Sequence, residues 1–581
     1  MLYSFQSIDY QLIDTVYYRN DGVSFPHTVK VFFKDARGKV VLEKNYGYLT
    51  LAQIYDTIGQ QGRLDLGECF VDNFSLTACR RYLLMAKNDH LAIQSFSAKD
   101  ALFYSALRVD FSFANFVGTV DFDGAVFVAN DISFHQAQFS RNGVTFSNTV
   151  YKTESCDFTR IIYSGGDVNF KNAVFSDGLK NFQDSRFLDA NACFVNVDFS
   201  DGDVSFINTH FYNTLTDFKV AVFGVGKVDF HFAKFKAGDV SFERVEFGSG
   251  RKDFRTVEFG TGKVNFNRCS FGDGDISFEG ADSKGGRLLF RKSFFGEGEI
   301  CFDIFDGKEA DIFFEHVSFE KGSVSFSGLV IRNLILTSCI FSDRLDLRVN
   351  QAESIDLSDS NARDIVDFRS HDKVQQVRTL NITGLKLLGR FYIDWEQNDL
   401  KSLIYGQANT SFGDKAEQFR ILKENFNSLG QYEDEDCAYV EYRRCEQRYK
   451  LQHQLRHKSI WRYTAYPRYA GKVILYDYMG LYATRPSRVF ISMLAVYSMF
   501  SGLYMILISL GVGNINPSGG HPDSLGIVSR SFYHSAITFF TIGYGDFFPS
   551  GPIRIVCGIE GFVGVFLMAY FTVAFVRKIL R

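Results

Sequence analysis

Residues 538–549 read TFFTIGYGDFFP. The chemistry open to Thr541, Ile542, Gly543, Tyr544 and Gly545 is that of the backbone. Gly543 and Gly545 permit dihedral angles closed to other residues, so successive carbonyls can all point to one side. Four copies of such a loop around an axis would stack rings of oxygens able to replace the water shell of a potassium ion. Backbone that is neither helix nor barrel survives at membrane depth only where it lines a watery cavity or is buried in protein. A ring of four loops meets that condition.

The elements that must hold the loop lie on either side. Residues 489–512 carry no charge and are long enough to cross a bilayer as a helix. Residues 553–576 form a second such run, interrupted by Arg554 and Glu560. Residues 529–540, SRSFYHSAITFF, predict a short amphipathic helix ending at the loop. Basic residues crowd the chain before the first span, from Arg443 to Arg488, and follow the second as Arg577, Lys578 and Arg581, whereas 513–552 holds only Arg530. The bias places both termini in the cytosol.

This region resembles the pore module of two-transmembrane potassium channels, whose filter reads T-[VI]-G-Y-G followed by Asp. The resemblance covers Pro486 to Arg581. It implies a tetramer in a bacterial inner membrane in which the carbonyls of Thr541, Ile542, Gly543, Tyr544 and Gly545, with the Thr541 hydroxyl, line the ion path. Asp546 and Thr538 match supporting positions. The sequence departs from the family at Phe540, where a second Thr is usual, at Tyr533 and His534, where tryptophans are common, and at Ile537, where some members keep an acid. Glu560, an acid inside a span, is expected to hydrogen-bond the neighbouring pore helix. Gly564 and Gly561 stand near the family's hinge, a position where glycine also serves close packing.

Upstream, Phe122, Phe134, Phe146 and onward to Phe326 recur every twelve residues. A second aromatic track, Phe127, Phe139, Tyr151, Tyr163 and onward, runs five residues behind and fails only at Ser283 and Gly307. Val or Ile usually lies two before the leading Phe, and a small residue such as Ala125, Ala137, Ala173 or Ala221 two before the trailing one. A fixed period of this kind predicts a solenoid. The unit resembles two adjoining pentapeptide repeats, which implies a right-handed quadrilateral β-helix. Spacing alternates five and seven instead of five and five, so "GD" or "GK" inserts are expected to widen alternate corners. A twelve-residue coil cannot enclose two Phe side chains; 24 residues per coil predicts nine coils for the strict region, a rod of roughly 40 Å. GVGK, GTGK and GSGRK imitate phosphate loops, but they recur at one repeat corner with no helix behind them. FGDGDISF imitates a calcium β-roll, whose period is nine; turn chemistry accounts for both.

The fold expected is thus a β-solenoid followed by a helical linker and a two-helix transmembrane pore. Its parts are an α+β cap at 1–105, a cytosolic solenoid at 106–400, a linker and juxtamembrane segment at 401–487, and the pore at 488–581. The linker predicts two helices joined near Gly430, with Phe419, Leu422, Phe426 and Leu429 on one face. His453 and His457 stand four apart; a basic helix beside anionic lipid explains them better than a metal. Residues 476–488 suit the inner membrane surface. Nothing follows the second span beyond RKILR, so regulation is expected to enter through the linker. Ten scattered cysteines and the lack of a secretory leader favour a reducing compartment. A net charge of −4 argues for no nucleic-acid partner, and no nucleophile–base pair predicts an enzyme. Expected partners are the bilayer, three further copies of the chain and an unidentified cytosolic ligand or protein, with no cofactor besides permeant potassium. The alternative is a membrane-tethered interaction or scaffold protein with a non-conducting or non-selective pore.

Overall fold

The computed structural model describes residues 5–212, 215–369, 376–456, 463–519 and 525–580. The chain forms two compact units, Met1–Gln407 and Ala408–Arg581.

The first unit is the solenoid. One coil runs through four short strands, Val126–Val128, Asp131–Ser133, Gln138–Phe139 and Val144–Thr145, before Val150–Lys152 opens the next. Val126 pairs in parallel with Val150, and Val144 with Val168, so each coil takes 24 residues and has four sides. One side is a continuous 13-stranded ladder and another a 14-stranded one.

The aromatic period is the core itself. Phe134, Phe158, Phe182 and Phe206 stack nearly parallel, with ring centroids 4.7–5.1 Å apart. Phe122, Phe146 and Phe170 make a second column, 5.1 and 4.7 Å apart. The two columns meet edge to face, Phe134 on Phe146 at 84° and Phe158 on Phe170 at 84°. Both arrangements satisfy the aromatic quadrupole. Trailing residues alternate between two further columns, one through Phe127 and Tyr151, the other through Phe139 and Tyr163. From Phe122 to Phe271 four aromatics therefore fill each coil, which the half-length coil could not hold.

Two residues after each leading Phe the chain turns through the left-handed region, at Asn148, Asn172, Asn196 and Val220 among others. Asparagine tolerates that conformation. The Asn172 amide donates to Asn148 and the Asn196 amide to Asn172, both at 3.0 Å, forming a ladder along one corner. Glycines line another corner. A Cβ on Gly226 would lie 2.3 Å from the carbonyl oxygen of Gly202, and one on Gly250 would lie 2.2 Å from that of Gly226. GVGK and GSGRK share this corner. GTGK does not: Gly262 stacks on Gly238, half a coil away, because the true repeat is 24 residues and not 12.

Ser283 and Gly307, where the trailing track fails, lie on one column, and there the section changes. Asp306 continues the bridge from Asp282, while Asp311 pairs with Arg287, so a single strand, Asp306–Glu315, takes over two ladders through a register shift. Long strands Val330–Thr337, Gln351–Asp356 and Gln376–Asn381 follow it. The last coils are three-sided, a departure from the quadrilateral expectation; without an aromatic to fill that side, the corner closes.

The coils also begin earlier than the phenylalanine period. Gly47–Tyr48 pairs with Cys69–Phe70, and Phe70 with Leu102. Helices α1 (Leu51–Gly59) and α2 (Leu76–Tyr82) stand in these first coils where later ones have strands. Thr50 and Gln53 close α1 with a reciprocal capping box. An antiparallel meander, Ser7–Ile13, His27–Lys34 and Val40–Tyr48, precedes them, and its Phe5, Val29, Val31 and Phe33 form one cluster with Leu102, Val126 and Val150. At the other end α3 (Leu400–Tyr405) buries Leu400, Leu403 and Ile404.

The second unit is helical. Helices α4 (Phe412–Leu429) and α5 (Tyr432–Arg456) form a hairpin turning at Gly430, φ +72°. Phe419, Leu422 and Phe426 are buried as expected. After α6 (Ala465–Lys472) the helix widens to a π-turn, Val473–Tyr478. Then come α7 (Pro486–Ser509), α8 (Ile527–Phe539) and α9 (Ile553–Ile579). The first span thus starts and ends three residues before its predicted limits, because Pro486 takes the favoured first helical turn. His457 of the predicted histidine pair lies outside the described residues.

Candidate functional site

Helices α7 and α9 have mean hydropathies of 1.9 and 2.0 over their most apolar stretches, and only 22% of each stretch is buried within the chain. The short helix α8 is wedged against both. Its Phe539 packs with Val489 and Met493 of α7 and Leu567 of α9, and its Ile537 with Phe500, Tyr504 and Ile553. Ile537 is therefore an apolar anchor. The acid absent from α8 is supplied from α9.

That acid is Glu560, fully buried. Tyr504 of α7 donates to one carboxylate oxygen at 2.5 Å, and Ser535 of α8 donates to the other. One side chain thus ties three helices at the level of α8. Both donors escaped the sequence reading. Their signal was slight: a hydroxyl in the middle of each apolar face, with a carboxylate far along the chain. His534, also buried, sets its ring edge-on to Tyr504 at 5.4 Å.

Helix α8 ends at Phe540, and the loop follows directly. Thr541 has φ +54°, and its hydroxyl donates to the Phe540 carbonyl at 2.7 Å. The amide of Ile542 donates to Ile537 at 2.9 Å. Gly543 and Gly545 have φ of +63° and +76°, with Tyr544 between them outside that region. Ile542 and Tyr544 are exposed in the single chain, Tyr544 by 73%. Downstream, Tyr533 donates to Asp546 at 2.5 Å. Tyr533 therefore occupies a supporting role at a position where the sequence marked a departure. Beyond the loop, Phe547–Pro549 pairs antiparallel with Ile515–Pro517.

Thr538 reaches Cys557 of α9 at 3.7 Å, and Gly561 faces the Thr538 methyl at 4.0 Å from a would-be Cβ. At Gly564 a Cβ would sit 2.1 Å from the carbonyl oxygen of Phe539. The glycine is needed for that approach of α9 to the end of α8.

Just before α7, three consecutive residues, Leu481, Tyr482 and Ala483, adopt left-handed angles of +46°, +57° and +63°. Such angles cost roughly 1–2 kcal/mol per residue, so they persist only where surroundings hold them. Here the Ala483 amide donates to the Tyr570 hydroxyl of α9 at 3.0 Å. Arg444 of α5 grips Asp477 through two bonds of 2.9 and 2.7 Å, and the sequence reading saw Arg444 only as a membrane-flanking charge.

Residues 487–581 match a family model described as ion channel. No curated protein and no solved structure matches the chain. The C-terminal segment is accordingly a two-helix ion-channel module, and the chain is a membrane protein with a β-solenoid ahead of that module.

Proposed function

We propose that the chain is a potassium-selective channel, assembled as a homotetramer in a bacterial inner membrane with both termini in the cytosol. The observation carrying this reading is the loop itself. TIGYGD follows a short helix wedged between two membrane helices, with left-handed angles at Gly543 and Gly545. Those angles permit carbonyls to face one way around an axis, and Thr541 to Gly545 then line the ion path. Exposed Ile555, Ile559, Phe562 and Phe566 form a stripe along one side of α9, at the spacing of a packing face. Neighbouring copies would cover it. No cofactor other than permeant ions and no catalytic step is part of this reading.

The solenoid's proposed role is to regulate gating or assembly through the linker, acting as lever, platform or ligand scaffold. Allostery needs an input that distinguishes open from closed states, and the linker is bonded to α9 at two places, Asp436 of α5 accepting from Arg577 and the Ala483 amide donating to Tyr570. Potassium flux from liposomes carrying the purified chain tests the first part. Flux exceeding that of sodium is expected; a folded tetramer without flux would favour the scaffold alternative. Single-channel recordings with residues 1–407 deleted test the second, an unchanged open probability across ligands and pH counting against regulation.

A further inference from the structure

Between α5 and α6 lies a cavity of about 120 Å³, lined by Gln447, Lys450 and Gln454 on one side and Arg468, Tyr469 and Lys472 on the other. We infer that it binds the phosphate of an anionic membrane lipid. Three cations and two amides converge there, and among the described residues no carboxylate lines the cavity. Of the lining cations, Lys450 is paired with Glu446 at 2.5 Å, and Glu446 also takes Arg443 at 2.7 Å, so two cations share that one acid. A cavity with that surplus selects an anion, and its size suits a phosphate group with a few waters.

The surroundings select a lipid over a free anion. Tyr466, Ile474, Leu475, Tyr476 and Tyr478 are all exposed by 40–66% along α6 and the π-turn. Aromatic and aliphatic residues flanking cations are the composition of segments lying in a membrane–water interface. Lys472 ends α6 fourteen residues before Pro486, where α7 begins. If α7 enters the bilayer, on which this inference rests, the cavity sits at headgroup level. The Arg444–Asp477 pair holds the π-turn against α5, keeping both walls of the cavity in place.

The test uses the full chain in detergent micelles, titrated with short-chain phosphatidylglycerol, short-chain phosphatidylcholine and inorganic phosphate, with bound lipid counted by native mass spectrometry. Each cation near an anionic surface contributes about fivefold in binding, so replacing three lowers it on the order of 100-fold. Phosphatidylglycerol should bind in preference to phosphatidylcholine, and the triple variant Lys450→Gln, Arg468→Gln, Lys472→Gln should lose that preference. If the triple variant does not fold, the single Lys472→Gln, at an exposed position, should still lose about fivefold while Lys472→Arg retains binding. Undiminished phosphatidylglycerol binding in the folded variants would overturn the inference. So would inorganic phosphate displacing the lipid at equal concentration, which would mark a free-anion site. Flux is recorded separately in liposomes of neutral lipid. Loss of flux with lipid preference intact would remove the channel reading and leave this site standing.

Discussion

Arg577, in the last turn of α9, donates to Asp436 near the start of α5 at 2.8 Å. Its guanidinium also lies 4.6 Å over the ring of Tyr439. Both partners of the ion pair are mostly shielded, with side-chain exposures of 23% and 12%. The end of the second span is therefore fastened to the linker hairpin. Breaking the fastening frees that end to move, so Asp436→Asn should raise open probability. A coupling on the order of 1 kcal/mol corresponds to about fivefold in the open–closed equilibrium. The charge swap Asp436→Arg with Arg577→Asp should recover part of it, and single-channel recordings of the cycle measure the coupling. Additive effects of the two substitutions would count against a fastening role.

Selectivity should depend on Gly543. Alanine at φ +63° costs roughly 1–2 kcal/mol, which the loop relieves by turning a carbonyl away. Gly543→Ala is expected to abolish potassium flux or its preference over sodium in a folded protein. Unchanged reversal potentials in mixed potassium and sodium would refute the assignment.

Glu560 should be replaceable by an amide better than by a methyl group. Gln keeps an acceptor for Ser535 and a polar partner for Tyr504. Ala strands both hydroxyls, each at a cost of about 1–3 kcal/mol when buried. Thermal dissociation of the assembled protein should drop less for Glu560→Gln than for Glu560→Ala, and equal losses would argue against the three-helix tie.

Lys252 makes stability depend on pH. It occupies an inward position where most coils place Val or Ile, and its ammonium donates to the carbonyl of Asp273 at 2.6 Å. Burial pushes it down to about 8 from its ordinary 10.5. The folded chain then binds fewer protons than the unfolded one between those values, so this residue's contribution to stability rises with pH across that window. Cysteine thiols such as Cys269, raised to about 12 by burial, act oppositely above their ordinary value of 9. The comparison is therefore best made between pH 7.5 and 9. The thermal midpoint of Lys252→Met relative to the native chain should be higher at pH 7.5 than at pH 9; a constant difference would show that Lys252 does not titrate there.

Val220 is out of place. It stands in the column of Asn148, Asn172 and Asn196, at φ +58°, where a β-branched side chain is strained. Val220→Asn should stabilise the full chain by about 1 kcal/mol and extend the amide ladder by one rung. A lower unfolding midpoint would show that the exposed Val220 makes a contact worth more than the strain.

How much of this was legible follows from how local the causes are. The 24-residue coil could be read from Phe122 to Phe326 because every coil must fill the same interior volume. Ser283 and Gly307 were visible as failures, yet their meaning, the loss of one side, needed the strand pairing of Asp306 and Asp311. Residues 47–105 concealed their coils because α1 and α2 fill space that phenylalanine fills later. At the pore, TIGYGD and its flanking spans are contiguous and spoke for themselves. The Glu560 tie joins residues 25 and 56 positions apart, and Arg577 lies 141 from Asp436. Nothing in a linear pattern links such pairs, since their meeting depends on how helices cross.

The stacked columns also make the solenoid's length discrete. Removing 24 residues, for instance 204–227, would bring Phe230 beneath Phe182 and Gly226's neighbour Gly250 beneath Gly202, with every column unbroken. Removing twelve would set the glycine corner above the opposite corner, where Gly143 and Gly166 lie at other angles. Insertions and deletions in this region are thus tolerated in whole coils only. Its height can change only in steps of about 4.8 Å, like a ruler whose smallest division is one turn of chain.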